Sequence, residues 1–154
     1  MILSRGESQR GYGFKDDIKP VRAVIISELQ KATLNNSFSL EYCQSGYDSN
    51  PKLAGIKHCN RLEQILARAG LKSDEGIMLD ENHNVISVTQ GNIYAIHGNT
   101  LITPKLDKCG VEGTRRAVIL DLAKLLGIKV KVETLSVEKL SQAHEVFILS
   151  LIHI

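Results

Sequence analysis

One lysine is a candidate nucleophile. Lys57 lies in the sequence AGIKHCN, shortly after Gly55 and just before a segment with helical periodicity. A lysine at the edge of an apolar face can lose part of its hydration, which lowers the pKa of its amine and makes the amine reactive toward an aldehyde. The alternative is a solvated lysine at a helix N-terminus, although a cation there opposes the helix dipole.

A second segment could hold an anion. The sequence GVEGTRR, residues 110–116, begins the second predicted helix. A glycine and a hydroxyl residue at a helix N-terminus, here Gly113 and Thr114, present free backbone N–H groups and a side-chain donor. Arg115 follows them directly, so the segment could cradle a phosphate. The alternative is an ordinary Gly/Thr helix cap.

A third segment could bind a carboxylate. Arg5 and Arg10 lie in the glycine-containing sequence SRGESQRGY. The guanidinium fork of an arginine can bind a carboxylate through two hydrogen bonds. The alternative is a pair of solvent-exposed loop arginines.

The remaining reactive side chains do not form a recognisable site. The five histidines lack the spacing of metal ligands, so we expect no metal site. The three cysteines, Cys43, Cys59 and Cys109, lack CxxC spacing and form an odd set. We therefore expect reduced thiols in a cytoplasmic protein rather than a disulfide framework.

The composition is that of a globular chain with a small-molecule partner. The 154 residues are 43% apolar and 23% charged, with a formal net charge of +2. Lysine and arginine are scattered, which argues against a nucleic-acid surface. No apolar run approaches the roughly 18 residues of a membrane span, so we expect no membrane partner.

The pattern of elements predicts an α+β or mixed α/β fold. Helices are predicted over residues 59–69, ending at Gly70, and from Gly113 to Gly127, each with an apolar stripe. A buried strand is predicted over residues 21–29, a polar connector over 30–37, and a short helix from Ser136 to residue 143. Other strand-like runs are 38–42, 76–80, 85–89, 92–97, 100–103, 128–132 and 145–148. The four runs from 76 to 103 are predicted to form a meander or a pair of hairpins.

Taken together, these segments resemble the fold-type-IV pyridoxal-phosphate (PLP) enzymes. The sequences SRGESQRGY, NPKLAGIKHCNRLEQILAR, GNIY, TPKLDKCGVEGTRR and SVEKLSQAHEVFI occur in the order and at the spacing of that family. The family includes aminodeoxychorismate lyase, D-amino-acid aminotransferase and branched-chain aminotransferase. LAGIKHCNRLEQ is most similar to the lyase signature around the cofactor lysine.

The resemblance implies a role for each candidate residue. Lys57 would hold PLP as a Schiff base and carry the proton during the reaction, and Arg10 would take a substrate carboxylate. Gly113, Thr114 and Arg115 would hold the phosphate. The remaining cofactor positions implied by the resemblance are Ser87, Asn92 and Val111, with Val111 against the cofactor ring.

The implied activity is cleavage of 4-amino-4-deoxychorismate into 4-aminobenzoate and pyruvate, a step toward folate. PLP would serve as the electron sink. The resemblance further implies a cytoplasmic homodimer. An aminotransferase acting on D-amino acids or branched-chain amino acids is the alternative, and an inactive fragment that does not bind PLP is a third possibility.

Several departures from the family pattern lead us to expect a fragment. The family places a glutamate five residues before the asparagine at position 92, where this chain has Ser87, and a serine can share only a neutral hydrogen bond. We expect residues 1–33 to be the remainder of a small N-terminal domain with its linker. Residues 34–154 would be a C-terminally truncated PLP-binding domain. The ending ILSLIHI aligns with the family only with a gap, which makes Ser150 a poor cofactor candidate.

Overall fold

The structure is a computed structural model that describes residues 1–28 and 37–150. Contacts between Cα atoms divide the chain into two units, Met1–Lys31 and Ala32–Ile154. The predicted boundary between residues 33 and 34 lies outside the described residues. So does the predicted connector, apart from Ser37.

The N-terminal unit contains a two-stranded antiparallel ribbon. Strand β1 (Ile2–Ser4) pairs with β2 (Val21–Ala23), and both strands are exposed. The prediction of a buried strand over residues 21–29 is therefore wrong in length and burial, since Ile25 is not in a strand and is 75% exposed. An apolar β-branched run is buried only where a second layer covers it, and a lone ribbon provides none.

The C-terminal unit is a mixed α/β structure, as predicted. In chain order its elements are β3 (Leu40–Tyr42), α1 (Leu62–Ala69), β4 (Glu75–Leu79), β5 (Asn84–Val88), β6 (Asn92–His97), β7 (Thr100–Pro104), α2 (Thr114–Leu125), β8 (Lys129–Glu133), β9 (Leu135–Ser136), α3 (Val137–Ser141) and β10 (Glu145–Leu149).

The strands form two four-stranded sheets. Their orders are β3-β4-β5-β9 and β10-β6-β7-β8. The two predicted hairpins, β4–β5 and β6–β7, are confirmed as antiparallel pairs, one in each sheet. In the first turn His83 has φ 60°, and in the second Gly98 has φ 57°, the left-handed backbone that Asn- and Gly-rich turns permit. Two further antiparallel pairs, β5 with β9 and β10 with β6, and two parallel pairs, β3 with β4 and β7 with β8, complete the sheets.

The apolar core draws on both sheets. Its buried members come from β4 to β7, β9 and α3: Ile77, Val85, Val88, Ile93, Ala95, Ile102, Leu135 and Leu140. A second cluster lies beside β6, where the Tyr94 and Phe147 rings stack with centroids 4.7 Å apart. Burial of such side chains is the main favourable term in folding.

The predicted apolar stripes of the two longer helices are exposed in the structure. The apolar stripe of α1, which includes Leu62 and Ile65, is exposed, and Gln64 and Ala67 are buried instead. In α2 the predicted stripe of Val118, Leu122, Leu125 and Leu126 is also exposed, and Arg116 and Ala123 are buried. Helical periodicity identifies an apolar face but not the layer that covers it.

Helix boundaries follow the predicted stop and start signals at three places. Gly70 is the C-cap of α1, and Gly127 has φ 73° just after α2. Ser136 caps α3 by accepting a hydrogen bond from the Lys139 N–H at 3.1 Å. Over residues 1–28 and 37–150, no helix has the length and apolar character needed to cross a membrane.

Candidate functional site

A cavity of about 300 Å³ lies in the C-terminal unit. Four regions that are distant in sequence meet there: the loop and helix around α1, strand β5 with its following turn, the start of α2, and the end of β10. The lining residues predicted from the sequence are Lys57, Ser87, Asn92, Val111, Gly113 and Arg115. Thr114 is the first residue of α2 and is not part of the lining. The structure therefore brings six of the seven proposed cofactor residues together.

Lys57 lies in a loop that is tied to the start of α2. The Gly55 N–H donates to the Gly110 carbonyl at 3.0 Å, and the Glu112 N–H donates to the Gly55 carbonyl at 3.0 Å. Gly55 has φ 79°, a conformation that favours glycine. This pair of bonds explains how Lys57 and Gly113 come to line one cavity although 56 positions separate them.

The expected desolvation of Lys57 is not found. Lys57 is exposed, and α1 begins at Leu62 rather than at Cys59, so Lys57 is not part of a helix N-terminus. The physical reason is that Lys57 protrudes from a loop rather than from the packed side of a helix.

The start of α2 has the form of an anion cradle. Gly113 is its N-cap, and among the described residues no side chain caps this end. The Asn92 side-chain N–H donates to the Val111 carbonyl at 2.9 Å, and a Cβ added at Gly113 would lie 2.5 Å from Asn92 Oδ1. Glycine thus lets the helix approach β6 closely. The first turn carries Arg115 and no acidic residue, which favours a negatively charged ligand.

Ser87 is buried in a network of neutral groups. Its hydroxyl donates to the Val88 carbonyl at 2.8 Å and is 3.0 Å from the Tyr47 hydroxyl oxygen. Burial raises the pKa of the Tyr47 hydroxyl, so Tyr47 is protonated and donates to Ser87. The Ser87 oxygen can therefore offer a ligand a lone pair but no negative charge.

The cavity lining is cationic. Lys57, Arg61, Arg68 and Arg115 line it, and among the described residues no carboxylate does. Behind the lining, buried Glu75 accepts from Arg68 at 3.3 Å and from the Thr89 hydroxyl. This cluster neutralises Arg68, and the Arg61 guanidinium donates to backbone carbonyls. Lys57 and Arg115 are therefore the cations placed to bind an anionic ligand directly.

Several lining residues were missed at the sequence level. Arg61, Gln64 and Arg68 lie at three- and four-residue intervals along one side of α1, a polar pattern that could have identified them. The Gln64 amide lies near the Tyr47 hydroxyl, yet its oxygen and nitrogen have no hydrogen-bond partner among the described residues.

Ser150, judged a poor cofactor candidate from the sequence, lines the cavity. Its carbonyl accepts a hydrogen bond from Arg115 at 3.5 Å.

Arg10 belongs to the N-terminal unit. It is exposed in the segment between β1 and β2, where it lies beside a shallow pocket with Glu7 and Phe14. Arg5, the other arginine of this segment, lies over the Phe14 ring at 3.7 Å from the centroid.

Comparison with known proteins identifies the family. The sequence profile described as amino-transferase class IV matches residues 1–153. The chain belongs to the amino-transferase class IV family. Because the match covers nearly the whole chain, both units are parts of this family's sequence.

Relatives within the class IV family include lyases and aminotransferases. Aminodeoxychorismate lyase of Vibrio harveyi is 29% identical over 151 residues, which cover 94% of this chain and 56% of that protein. A branched-chain-amino-acid aminotransferase of Escherichia coli (strain K12) is 38% identical over 73 residues, 47% of this chain and 24% of that protein. The crystal structure of 4-amino-4-deoxychorismate lyase from Pseudomonas aeruginosa superimposes with a TM-score of 0.87 at 32% identity, covering 97% of this chain and 57% of that one.

The comparisons confirm the fold-type-IV resemblance and the mixed α/β fold inferred from the sequence. The similarity to the Vibrio harveyi lyase extends over 94% of this chain, and the similarity to the E. coli aminotransferase over 47%. The chain spans a little over half the length of the two lyases, 56% and 57%.

Proposed function

We propose that this chain carries the PLP-binding site of a class IV lyase that converts 4-amino-4-deoxychorismate to 4-aminobenzoate and pyruvate. The observation that carries the proposal is that Lys57, the Gly113 end of α2 and Ser87 line a single cationic cavity. An amine, an anion cradle and a polar ring partner are the three groups that PLP requires.

The cavity fits the cofactor's phosphate. The start of α2 offers the backbone N–H groups of Gly113 and Thr114 together with the Arg115 side chain. Gly113 and Arg115 line the cavity, and Thr114 lies between them in the chain. Gly113 packs on Asn92, and a side chain at position 113 would collide with Asn92. Val111 supplies an apolar surface for the cofactor ring.

Lys57 would hold the cofactor covalently through its amine, and the same amine would then move a proton at the reacting carbon. PLP, when bound, supplies an electron sink for the bonds to that carbon. The cationic lining suits the carboxylates of the substrate as well as the cofactor phosphate. Arg10 would take one substrate carboxylate.

Ser87 sets the strength of the electron sink. The Ser87 oxygen accepts a hydrogen bond from the Tyr47 hydroxyl, and the Ser87 hydroxyl donates to the Val88 carbonyl. Ser87 would therefore meet the ring nitrogen as a neutral acceptor. A neutral partner stabilises a protonated ring nitrogen less than a carboxylate does. We therefore expect slower chemistry than in relatives with a glutamate at this position.

An aminotransferase is the second candidate. The 38% identity to the E. coli branched-chain enzyme over 73 residues favours it, although the stretch covers less than half of the chain. A chain that binds no cofactor is the third. We further expect the complete protein to be a cytoplasmic homodimer acting on a small molecule in folate synthesis.

A product assay separates the three candidates. The purified chain is incubated with PLP and 4-amino-4-deoxychorismate, and 4-aminobenzoate and pyruvate are measured. Parallel reactions contain D-alanine or a branched-chain amino acid with a 2-oxo acid. We expect 4-aminobenzoate and pyruvate in equal amounts, abolished by Lys57→Ala. Amino-group transfer without 4-aminobenzoate would favour the aminotransferase. No product together with no visible absorption of bound cofactor would favour an inactive chain.

A further inference from the structure

We infer that Arg61 is a positioning residue that holds the backbone at Lys57 and so restricts the region that the Lys57 amine can reach. The inference rests on the proposed function of Lys57. It is drawn from the hydrogen bonds of the Arg61 guanidinium, which bind the backbone on both sides of that lysine.

The guanidinium contacts the two carbonyls that flank Lys57. Arg61 Nε donates to the His58 carbonyl at 2.8 Å, and Arg61 Nη2 donates to the Ile56 carbonyl at 3.3 Å. The planar fork of arginine presents these two donors in a fixed geometry, which a lysine ammonium cannot reproduce. Rotation of the Lys57 backbone would break at least one of these bonds.

The backbone around Lys57 is itself a tight turn. The His58 N–H donates to the Ile56 carbonyl at 3.1 Å, so Lys57 is the central residue of a three-residue turn. The Ile56 carbonyl therefore accepts from both His58 and Arg61. A three-residue turn contributes little stability by itself. The charge-assisted hydrogen bond from the Arg61 guanidinium to the Ile56 carbonyl stabilises it further.

The two ends of the loop have different anchors. Gly55 ties the first end to Gly110 and Glu112 by backbone bonds, and Arg61, the N-cap residue of α1, ties the second end by its side chain. Between these anchors Lys57 is exposed and lines the cavity. An exposed lysine has many rotamers, so a rigid backbone turn is what restricts the region its amine can reach.

The first measurement needs no cofactor. Amide hydrogen exchange of the peptide that contains residues 56–61 is compared for the wild type, Arg61→Met, Arg61→Lys and Lys52→Gln. Loss of both charged bonds should make exchange about tenfold faster in Arg61→Met, with Arg61→Lys intermediate. Lys52→Gln removes a nearby exposed cation and should match the wild type. Equal exchange in all four proteins would overturn the inference.

The second measurement separates positioning from direct ligand binding, because Arg61 also lines the cavity. Pyridoxamine 5'-phosphate has no aldehyde and cannot condense with lysine, so it reports phosphate and ring binding alone. We expect Arg61→Met to leave its affinity within about twofold of the wild type. The same variant should slow condensation of Lys57 with PLP, which releases water, by about tenfold. A matching loss of pyridoxamine 5'-phosphate affinity would instead make Arg61 a ligand contact and overturn the positioning role.

Failure of the proposed function has a different signature. In that case the wild type itself would give no PLP adduct at Lys57 that borohydride can trap. The exchange measurement would still decide whether Arg61 orders the turn.

Discussion

The strands and the two longer helices of the C-terminal unit differ in how deeply their apolar residues are buried. Along the strands, side chains such as Val85, Ile93 and Leu135 are completely buried. Most leucines of α1 and α2 are exposed, Leu125 to 82%, whereas Leu120 is half-buried. The strands and Leu140 of α3 supply the core between the sheets, and α2 packs on the second cluster, beside β6, through Ala123, Ile119 and Leu120.

The cavity is lined by both kinds of surface. Polar residues of α1, the first turn of α2 and the ends of the strands line it together with exposed Ile65 of the α1 stripe, while the exposed stripe of α2 takes no part. Exposed apolar faces of this kind mark surfaces for protein contact or sources of aggregation.

The largest expected effect contrasts one leucine from each region. Leu135→Ala should lower the free energy of unfolding by about 2–5 kcal/mol, because it leaves a cavity in the core between the sheets. Leu125→Ala, the matched control on α2, should change it by less than about 0.5 kcal/mol. Urea denaturation followed by circular dichroism measures both. Equal losses would show that α2 is covered by other residues in solution.

A smaller effect is expected at the glycine that joins the Lys57 loop to α2. Gly55→Ala places a Cβ on a left-handed backbone with φ 79° and should cost about 1–2 kcal/mol of unfolding free energy. Gly70→Ala is the control, since Gly70 has φ −104° and a Cβ there meets nothing within 4 Å. Thermal melts of both variants test this. A Gly70→Ala variant as unstable as Gly55→Ala would contradict the assignment of strain to the backbone.

The smallest effect on stability, with a clear effect on association, is expected from the outer face of α2. Replacing exposed Leu125 and Leu126 by glutamine should leave the unfolding free energy within about 0.5 kcal/mol of the wild type. It should also reduce self-association, because it removes apolar surface from contact with water. Size-exclusion chromatography with light scattering reports the mass. A wild type that is monomeric at every concentration would contradict the expectation that this face of α2 mediates self-association.

The difference between strands and helices also explains which element bounds the sequence could predict. β6 has the predicted bounds, Asn92–His97, because a short β-branched run between glycine-containing turns is a local signal. α1 begins three residues later than predicted, at Leu62, because the preceding segment is held in a loop by Gly55 and Arg61. Periodicity carries no information about such tertiary bonds.

The site residues divide in the same way, into those that local sequence motifs predict and those whose role depends on tertiary contacts. Lys57, Ser87 and Gly113 came from motifs that resemble a family, and the structure places them around one cavity. Tyr47 was missed because its role depends on a bond to Ser87, 40 positions away. The exposure of Lys57 was also predicted wrongly, since burial depends on which elements cover a residue rather than on its neighbours in sequence.

The most direct test of the account locates the amine that reacts with PLP. The chain is incubated with PLP at low molar excess, reduced with borohydride and digested, and the modified lysine is identified by mass spectrometry. The account predicts one principal pyridoxyl adduct, on Lys57, which disappears in Lys57→Arg without transfer to Lys52 or Lys72. Adducts spread evenly over the exposed lysines, or an adduct elsewhere that is unaffected by Lys57→Arg, would contradict it.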